Sequence, residues 1–460
     1  MERGFFIVWL SCAAGFAGCI HVDASDNAPC EGDETTCSGG DFLTTTDVSD
    51  RAFEQRAAGL DSFERQVFRD GREVFDRPWT PIGVGPEDFD GLGPLFNAFS
   101  CQECHSRNGR LGPFDTARED GVSPALLFRL GDANGAPDPV YGGQFNPAGT
   151  QGVDGEGRVR VAWESVRGAF ADGTPYELLA PTFTLQGAYG DLAPGVHASP
   201  RATPPVFGLG LFDAVTDETL LALEDPEDRD GDGISGRVHW VVNPSSGASV
   251  PGKMGWKAEQ PDVRSQNAAA FAGDLGISSG LFAEQPCTMS QPDCVAQAAN
   301  VEELTTQQLD DVTFFIRHLA VPAPRVGDDA LIRRGEQVFT EVGCASCHVS
   351  SMETGWVTGD TRLDGQKIQA YTDLLLHDMG PGLADGGEHE LASEWRTPPL
   401  WGIGLTDVVN GHMRLLHDGR ARSFTEAILW HGGEAEQSKE AYRELESGER
   451  FALEEFLWSL

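Results

Sequence analysis

Two five-residue patterns constrain this chain more than anything else in it: Cys101-Gln-Glu-Cys104-His105 and Cys344-Ala-Ser-Cys347-His348. With ten Cys and eleven His among 460 residues, chance yields roughly 0.005 such patterns, so neither is an accident. C-x-x-C-H is the attachment sequence of c-type haem. Its two thiols add across the vinyl groups of the porphyrin, and the adjacent imidazole reaches the iron as proximal ligand. A thioredoxin-like dithiol has no need of His after the second Cys. Structural zinc gathers two C-x-x-C knuckles within a few tens of residues, and these two lie far further apart. Two covalently bound haem c groups are therefore expected. One is held by Cys101, Cys104 and His105, the other by Cys344, Cys347 and His348, with His105 and His348 on the iron.

The other six cysteines sort by position. Cys12 and Cys19 fall in an apolar N-terminal stretch, while Cys30-x6-Cys37 and Cys287-x6-Cys294 share one spacing. Each of the latter pairs closes a small loop as a disulfide if the compartment is oxidising. Phe5 to Leu10, preceded by Arg3, is too short to span a bilayer and reads as an export signal. Phe16-Ala17-Gly18-Cys19 resembles a bacterial lipobox, which implies a lipid on Cys19 and a periplasmic protein anchored to a membrane. Residues 1–19 are thus expected to be signal, and 20–60, rich in Asp, Thr, Ser and Gly, a flexible acidic tether.

Three blocks recur in the same order around the two motifs. Gly71-Arg-Glu-Val74-Phe75 is matched by Gly335-Glu-Gln-Val338-Phe339. Pro204-Pro205-Val-Phe-Gly208-Leu-Gly210-Leu211-Phe-Asp213 is matched by Pro398-Pro399-Leu-Trp-Gly402-Ile-Gly404-Leu405-Thr-Asp407. Self-similarity of this kind marks two related units. The stretch from Cys101 to Pro204 is about twice that from Cys344 to Pro398, so the first unit carries long insertions. The expected fold is mainly α with irregular loops, built as two tandem cytochrome-c-like haem domains over 61–325 and 326–460. Leu453, Phe456, Leu457 and Leu460 form an apolar stripe suited to packing over the second haem.

A further motif is Asp228-Arg-Asp230-Gly-Asp232-Gly233-Ile234. Carboxylates at positions 1, 3 and 5, Gly at 6 and a carbonyl at 7 make the front half of an EF-hand loop. His239 stands where the closing Glu belongs. Asp228, Asp230, Asp232 and Ile234 are the expected ligands of a calcium ion. The formal net charge of −39 excludes nucleic acid and anionic membrane surfaces as partners. It suits a basic electron-donor cytochrome, docked by electrostatic steering.

Several segments resemble the bacterial di-haem oxidoreductase family sometimes labelled CxxC thiol oxidoreductase, related to the di-haem cytochrome c peroxidases. They are Pro94-Leu-Phe-Asn97 with Cys101 to His105, Gly252-Lys-Met-Gly-Trp256-Lys257-Ala258, Leu374 to Gly386, Arg396 to Leu405, and His417-Asp418-Gly419 through Trp430-His431-Gly432-Gly433. In those peroxidases a His-Asp-Gly segment leads into a helix followed by the distal ligand of the C-terminal haem. Counting forward, the resemblance implies His431 in that role, with Met379 and Met413 as competitors. Ser423 and Glu426 form a capping box for its helix, which Gly432-Gly433 ends. For the N-terminal haem the candidates are His239, His197 and His318, or an open site. The resemblance implies electrons passing from an external donor through the C-terminal haem to the N-terminal one, where a small oxidant such as hydrogen peroxide is reduced. A pure electron carrier with both irons six-coordinate is the alternative, and a redox maturation enzyme acting on a partner protein is a third class. No catalytic residue is named by the sequence. Trp401 and Trp430 are expected to pack against porphyrin.

Overall fold

The computed structural model describes residues 28–32, 36–115, 121–298, 302–325, 327–386 and 391–460. The export signal and Cys19 lie outside the described residues. None of the described helices is long and apolar enough to cross a membrane.

Helix α1 (Ser62–Asp76) starts at a capping box. Asp61 accepts the backbone N–H of Phe63 and Glu64, and the Glu64 carboxylate accepts the Asp61 N–H, satisfying donors the helix cannot use internally. Five more helices matter for the site: α2 (Val263–Asp274), α3 (Thr306–Arg317), α4 (Asp329–Glu341), α5 (Phe424–Trp430) and α6 (Ser447–Ser459). Helix α1 packs on α3, and α4 on α6. Gly71 lies on the Asp311 carbonyl and Gly335 on the Ala452 carbonyl, so a side chain at either would collide with backbone. The two Gly-x-x-Val-Phe signatures thus seat equivalent helix pairs.

Strand β1 (Leu126–Gly131) is the centre of a three-stranded antiparallel sheet, flanked by Gln144–Phe145 and by the strand His197–Ala202. Strands β2 (Gly157–Ala169) and β3 (Pro175–Gly187) form a long hairpin, paired from Gly157↔Gly187 to Ala169↔Pro175. Its base packs on the sheet through Phe183 and Phe128, ring centroids 5.2 Å apart. Its tip reaches the C-terminal helices, where Phe170 meets Tyr442 and Asp172 accepts Arg450 Nη2 at 2.7 Å. Strands β4 (Leu376–Asp378) and β5 (Glu394–Arg396) pair with His377 opposite Trp395 and Leu376 opposite Arg396.

Three expectations are corrected. The chain is not mainly α: helices take 30% and strands 19% of it, in several small sheets. The signal was the alternation of Arg158-Val159-Arg160-Val161 and its partner strand, a period of two that motif spacing overshadowed. Nor is the molecule a pair of tandem cytochrome-c-like domains. Its largest apolar core joins Phe53, Phe212 and Phe315 to Met352, Ile368, Leu374, Trp401 and Val409, residues from both sides of position 325. The reason is reciprocal packing of the two Pro-Pro-x-x-Gly copies. A Cβ on Gly208 (φ +74) would lie 2.6 Å from the Trp401 ring, and one on Gly402 (φ +67) 2.8 Å from the Phe207 ring. Finally, of the tether expected over 20–60, Leu43, Ala52, Phe53, Ala57 and Leu60 are buried in that core, while Thr44–Thr45 pairs with Val321–Pro322. Sparse apolar residues in an acidic stretch were enough to dock it.

Glu156, fully buried beneath the hairpin base, accepts hydrogen bonds from the Asn146 N–H and the Gln291 amide. Burial pushes its carboxyl up to about 8 from an ordinary 4.5. The folded chain therefore keeps a proton that the unfolded chain gives up between those values, and stability falls as pH rises across that window. Glu156→Gln removes this term. The Tm of the variant minus that of the parent is expected to grow from about pH 5 to about pH 8; a difference flat in pH would contradict the buried carboxyl.

Candidate functional site

The first motif lies on the short helix Cys101–Cys104, capped by Ser100, whose hydroxyl accepts the Glu103 N–H. Cys101, Cys104 and His105 line a large cavity with Phe75, Pro204, Val206 and residues of α2 and α3. The His105 ring stands 6.0 Å from that of Phe75. Its Nδ1 lies 2.9 Å from the Pro204 carbonyl, and burial lowers its pKa to about 4. The ring is therefore neutral at pH 7. Nδ1 carries the proton to Pro204, which leaves the Nε2 lone pair free for a metal.

The second motif repeats this geometry. Cys344, Cys347 and His348 line another cavity, the Phe339 ring is 6.3 Å from that of His348, and His348 Nδ1 donates to the Tyr371 carbonyl at 2.9 Å. Burial again lowers the pKa to about 4. His431 lines the same cavity. It caps the end of α5, with Nδ1 2.7 Å from the Ala427 carbonyl one turn back, and burial lowers its pKa. Ser423 caps the helix start by accepting the Glu426 N–H, but the Glu426 carboxylate turns to the Arg422 N–H and guanidinium, so the capping box is only half formed. Met379 and Trp401 also line the cavity, as do Leu453 and Leu457 of the expected stripe; Met413 and Trp430 do not. Trp401 stacks on Phe212 with centroids 5.0 Å apart.

Of the three histidines considered for the N-terminal site, His197 lines its cavity. His239 is bound through Nδ1 to the Lys257 carbonyl, and His318 spends both ring nitrogens on the Phe314 carbonyl and Asp360. Asp228, Asp230 and Asp232 converge with carboxylate oxygens within 4.8 Å of one another on an exposed loop. Ile234, at the end of that loop, lines the C-terminal cavity.

The two cavities share a wall made of Arg110, Pro205, Trp256, Arg396, Pro398 and Pro399. Beside it, the Trp395 ring stacks on His417 at 3.6 Å and takes Lys257 Nζ at 4.0 Å and the Arg201 guanidinium at 4.7 Å from its centroid. Burial lowers Lys257 to about 8, with Arg201 adding to the effect and Asp385 opposing it. Next to the second motif, His377 bonds Asp373 through Nε2 at 2.8 Å and Glu434 through Nδ1 at 2.7 Å, with Cys347 Sγ 3.6 Å away. Burial alone would lower its pKa. The hydrogen bonds to Asp373, Cys347 and Glu434 outweigh burial and hold His377 well above the usual imidazole range, so it is an imidazolium between two carboxylates.

Residues 142–460 match the family described as "Di-haem oxidoreductase, putative peroxidase". The chain belongs to this family. The matched residues include Cys344 to His348, His377, Trp395, His417 and His431; Cys101 to His105 lie upstream of them. No curated protein matches the sequence. Among solved structures, hydrazine synthase of Kuenenia stuttgartiensis, pressurized with 20 bar xenon, aligns over 100% of both chains at 14% identity and a TM-score of 0.34, a likeness too loose to argue from.

The two cavities suit a di-haem oxidoreductase. The four motif thiols are unjoined, whereas Cys30–Cys37 and Cys287–Cys294 form disulfides. Burial pushes Cys101 and Cys344 up to about 12 and Cys104 well above the usual thiol range. Such thiols are neutral, neither nucleophiles nor ready thiolate ligands. Sequence reasoning assigned no role to His377, His417 or Lys257, although each lies in a segment of the resemblance, nor to Trp395, which immediately precedes one. It passed over Glu259 and Gln266, which face the N-terminal cavity.

His377→Ala would leave Asp373 and Glu434 buried without their cation. The expected loss is about 3–5 kcal/mol of unfolding free energy, measured by denaturant titration. A loss under about 1 kcal/mol would show that the three groups do not act as a buried charge cluster.

Proposed function

We propose that this protein is an exported di-haem c-type cytochrome that reduces hydrogen peroxide with electrons from a soluble donor cytochrome. The observation that carries this reading is the pair of cavities that meet at one wall, each entered by a C-x-x-C-H imidazole pinned through Nδ1. Attached through Cys101 and Cys104 and through Cys344 and Cys347, haem c would supply one-electron redox chemistry and an iron able to take a small oxidant.

His105 and His348 would each hold one haem iron through the free Nε2. His431, its ring fixed by the helix end and the Ala427 carbonyl, would be a second residue holding the haem of the C-terminal site. A haem held by two residues would favour electron transfer, so peroxide would belong in the N-terminal cavity. Glu259 is the acid–base group there. Its side chain is 41% accessible, and the surface it exposes lines that cavity. Burial would raise its pKa, but Arg201, Arg129 and Lys257 hold the carboxyl below the usual range. Its carboxylate accepts a proton from one peroxide oxygen and returns it to the other, which leaves as water. Each peroxide consumes two electrons and two protons and yields two waters. The electrons cross the shared wall beside Trp256 and Trp395.

The remaining parts of the reading follow from sequence. Asp228, Asp230, Asp232 and the Ile234 carbonyl would bind calcium at the edge of the C-terminal cavity. The N-terminal signal exports the chain to the periplasm, and Cys19 anchors it to a membrane by lipid. The charge of −39 suits a basic donor, with association slowing as salt rises.

Stepwise reduction of the purified protein tests the proposal, with spin state and peroxide consumption recorded together. Turnover is expected once the C-terminal haem is reduced, and His431→Gly is expected to convert one low-spin haem to high spin. Two low-spin haems with no turnover at any oxidation level would instead establish a pure electron carrier. An unchanged spectrum in His431→Gly removes that residue as a ligand.

A further inference from the structure

Among the described residues, two arginines facing the cavities have no carboxylate within ion-pair distance, and a third, Arg201, meets its two only at 3.7 Å. Arg396, 6% exposed, donates from Nε to the Gly255 carbonyl at 2.8 Å and from Nη1 to the Thr397 carbonyl at 3.2 Å. Arg110 donates from Nη1 to the Arg414 carbonyl at 3.1 Å. Among the described residues, neither has a carboxylate within ion-pair distance, and burial lowers both to about 10. Arg201 is buried with Nε and Nη1 wholly unpartnered. Its nearest carboxylates, Glu259 and Asp385, stand 3.7 Å from Nη2, and Asp385 is also held by Lys257 at 3.1 Å and Ser199 at 2.7 Å.

In a chain with 72 acidic residues against 33 basic ones, acids to neutralise Arg110 and Arg396 were plentiful. Their absence points to an anion brought by a ligand. Arginine binds carboxylates through a planar fork of N–H donors, and each haem carries two propionate carboxylates. Arg110 and Arg396 line both cavities, whereas Arg201 lines only the N-terminal one. Resting on the two-haem reading above, we infer that Arg110 and Arg396 bind propionates of both haems across the shared wall, with Arg201 adding a cation to the N-terminal haem alone. Both porphyrins would then turn their carboxylate edges to one partition, and one guanidinium would set the electrostatics of two irons.

Redox titration of the full-length holoprotein tests this. Reduction lowers the positive charge on iron, so a nearby guanidinium favours the reduced form. Arg396→Gln is expected to shift both haems at least tenfold toward the oxidised form, about 59 mV per tenfold for a one-electron couple. Arg396→Lys should restore most of the shift, and Arg201→Gln should move the N-terminal haem only. Should Arg396→Gln fail to accumulate, Arg110→Gln and Arg110→Lys give the same reading. Two bound haems whose potentials both stay put, or of which only one moves in Arg396→Gln, overturn the assignment alone. Wild-type protein with fewer than two haems overturns the reading on which it rests, and the assignment with it.

Discussion

The structure turns on one reciprocal contact. Gly208 sits under Trp401 and Gly402 under Phe207, so the two copies of the Pro-Pro-x-x-Gly segment lock into each other. Only glycine allows this, because each position combines a positive φ with a ring in the place of its Cβ. The prolines at the head of each copy are carried to the boundary between the cavities, where Pro205, Pro398 and Pro399 form part of both. Without the interlock, the two C-x-x-C-H motifs would belong to separate units. With it they open on either side of a single wall.

That wall sets the chemistry available on both sides. Burial disfavours charged forms that lack a partner, and it keeps His105, His348 and His431 and the thiols of Cys101, Cys104 and Cys344 neutral. Cations concentrate at the wall and around Trp395, with Glu259 and Asp385 facing Arg201, and the imidazolium of His377 is clamped between Asp373 and Glu434. Glu434 also accepts the Ser235 hydroxyl at 2.6 Å. The acidic loop, strand β4 and the turn after His431 are thereby tied together at the rim of the C-terminal cavity.

What could be read from sequence was local. The C-x-x-C-H spacing, the acidic loop and the place of His431 after an N-capped helix each depend on residues within one or two turns. In the structure His431 lines the cavity of His348, and the carboxylates of Asp228, Asp230 and Asp232 lie close together. The β content was legible in the alternation of apolar and polar residues along β2 and β3. Arg110, Arg201 and Arg396 carry no spacing signal at all. They come from a loop and two different sheets, and only the fold brings them to one place. The same holds for His377, whose partners Asp373 and Glu434 sit four and fifty-seven residues away.

The central claim is that two haems on either side of this wall act as one two-electron centre. The direct measurement is to reduce the protein fully, add one equivalent of hydrogen peroxide anaerobically, and follow both haem absorption bands. Loss of the reduced bands of both haems, with one peroxide consumed per chain, is the expected result. Oxidation of one haem while the other stays reduced, or no oxidation of either, would contradict it.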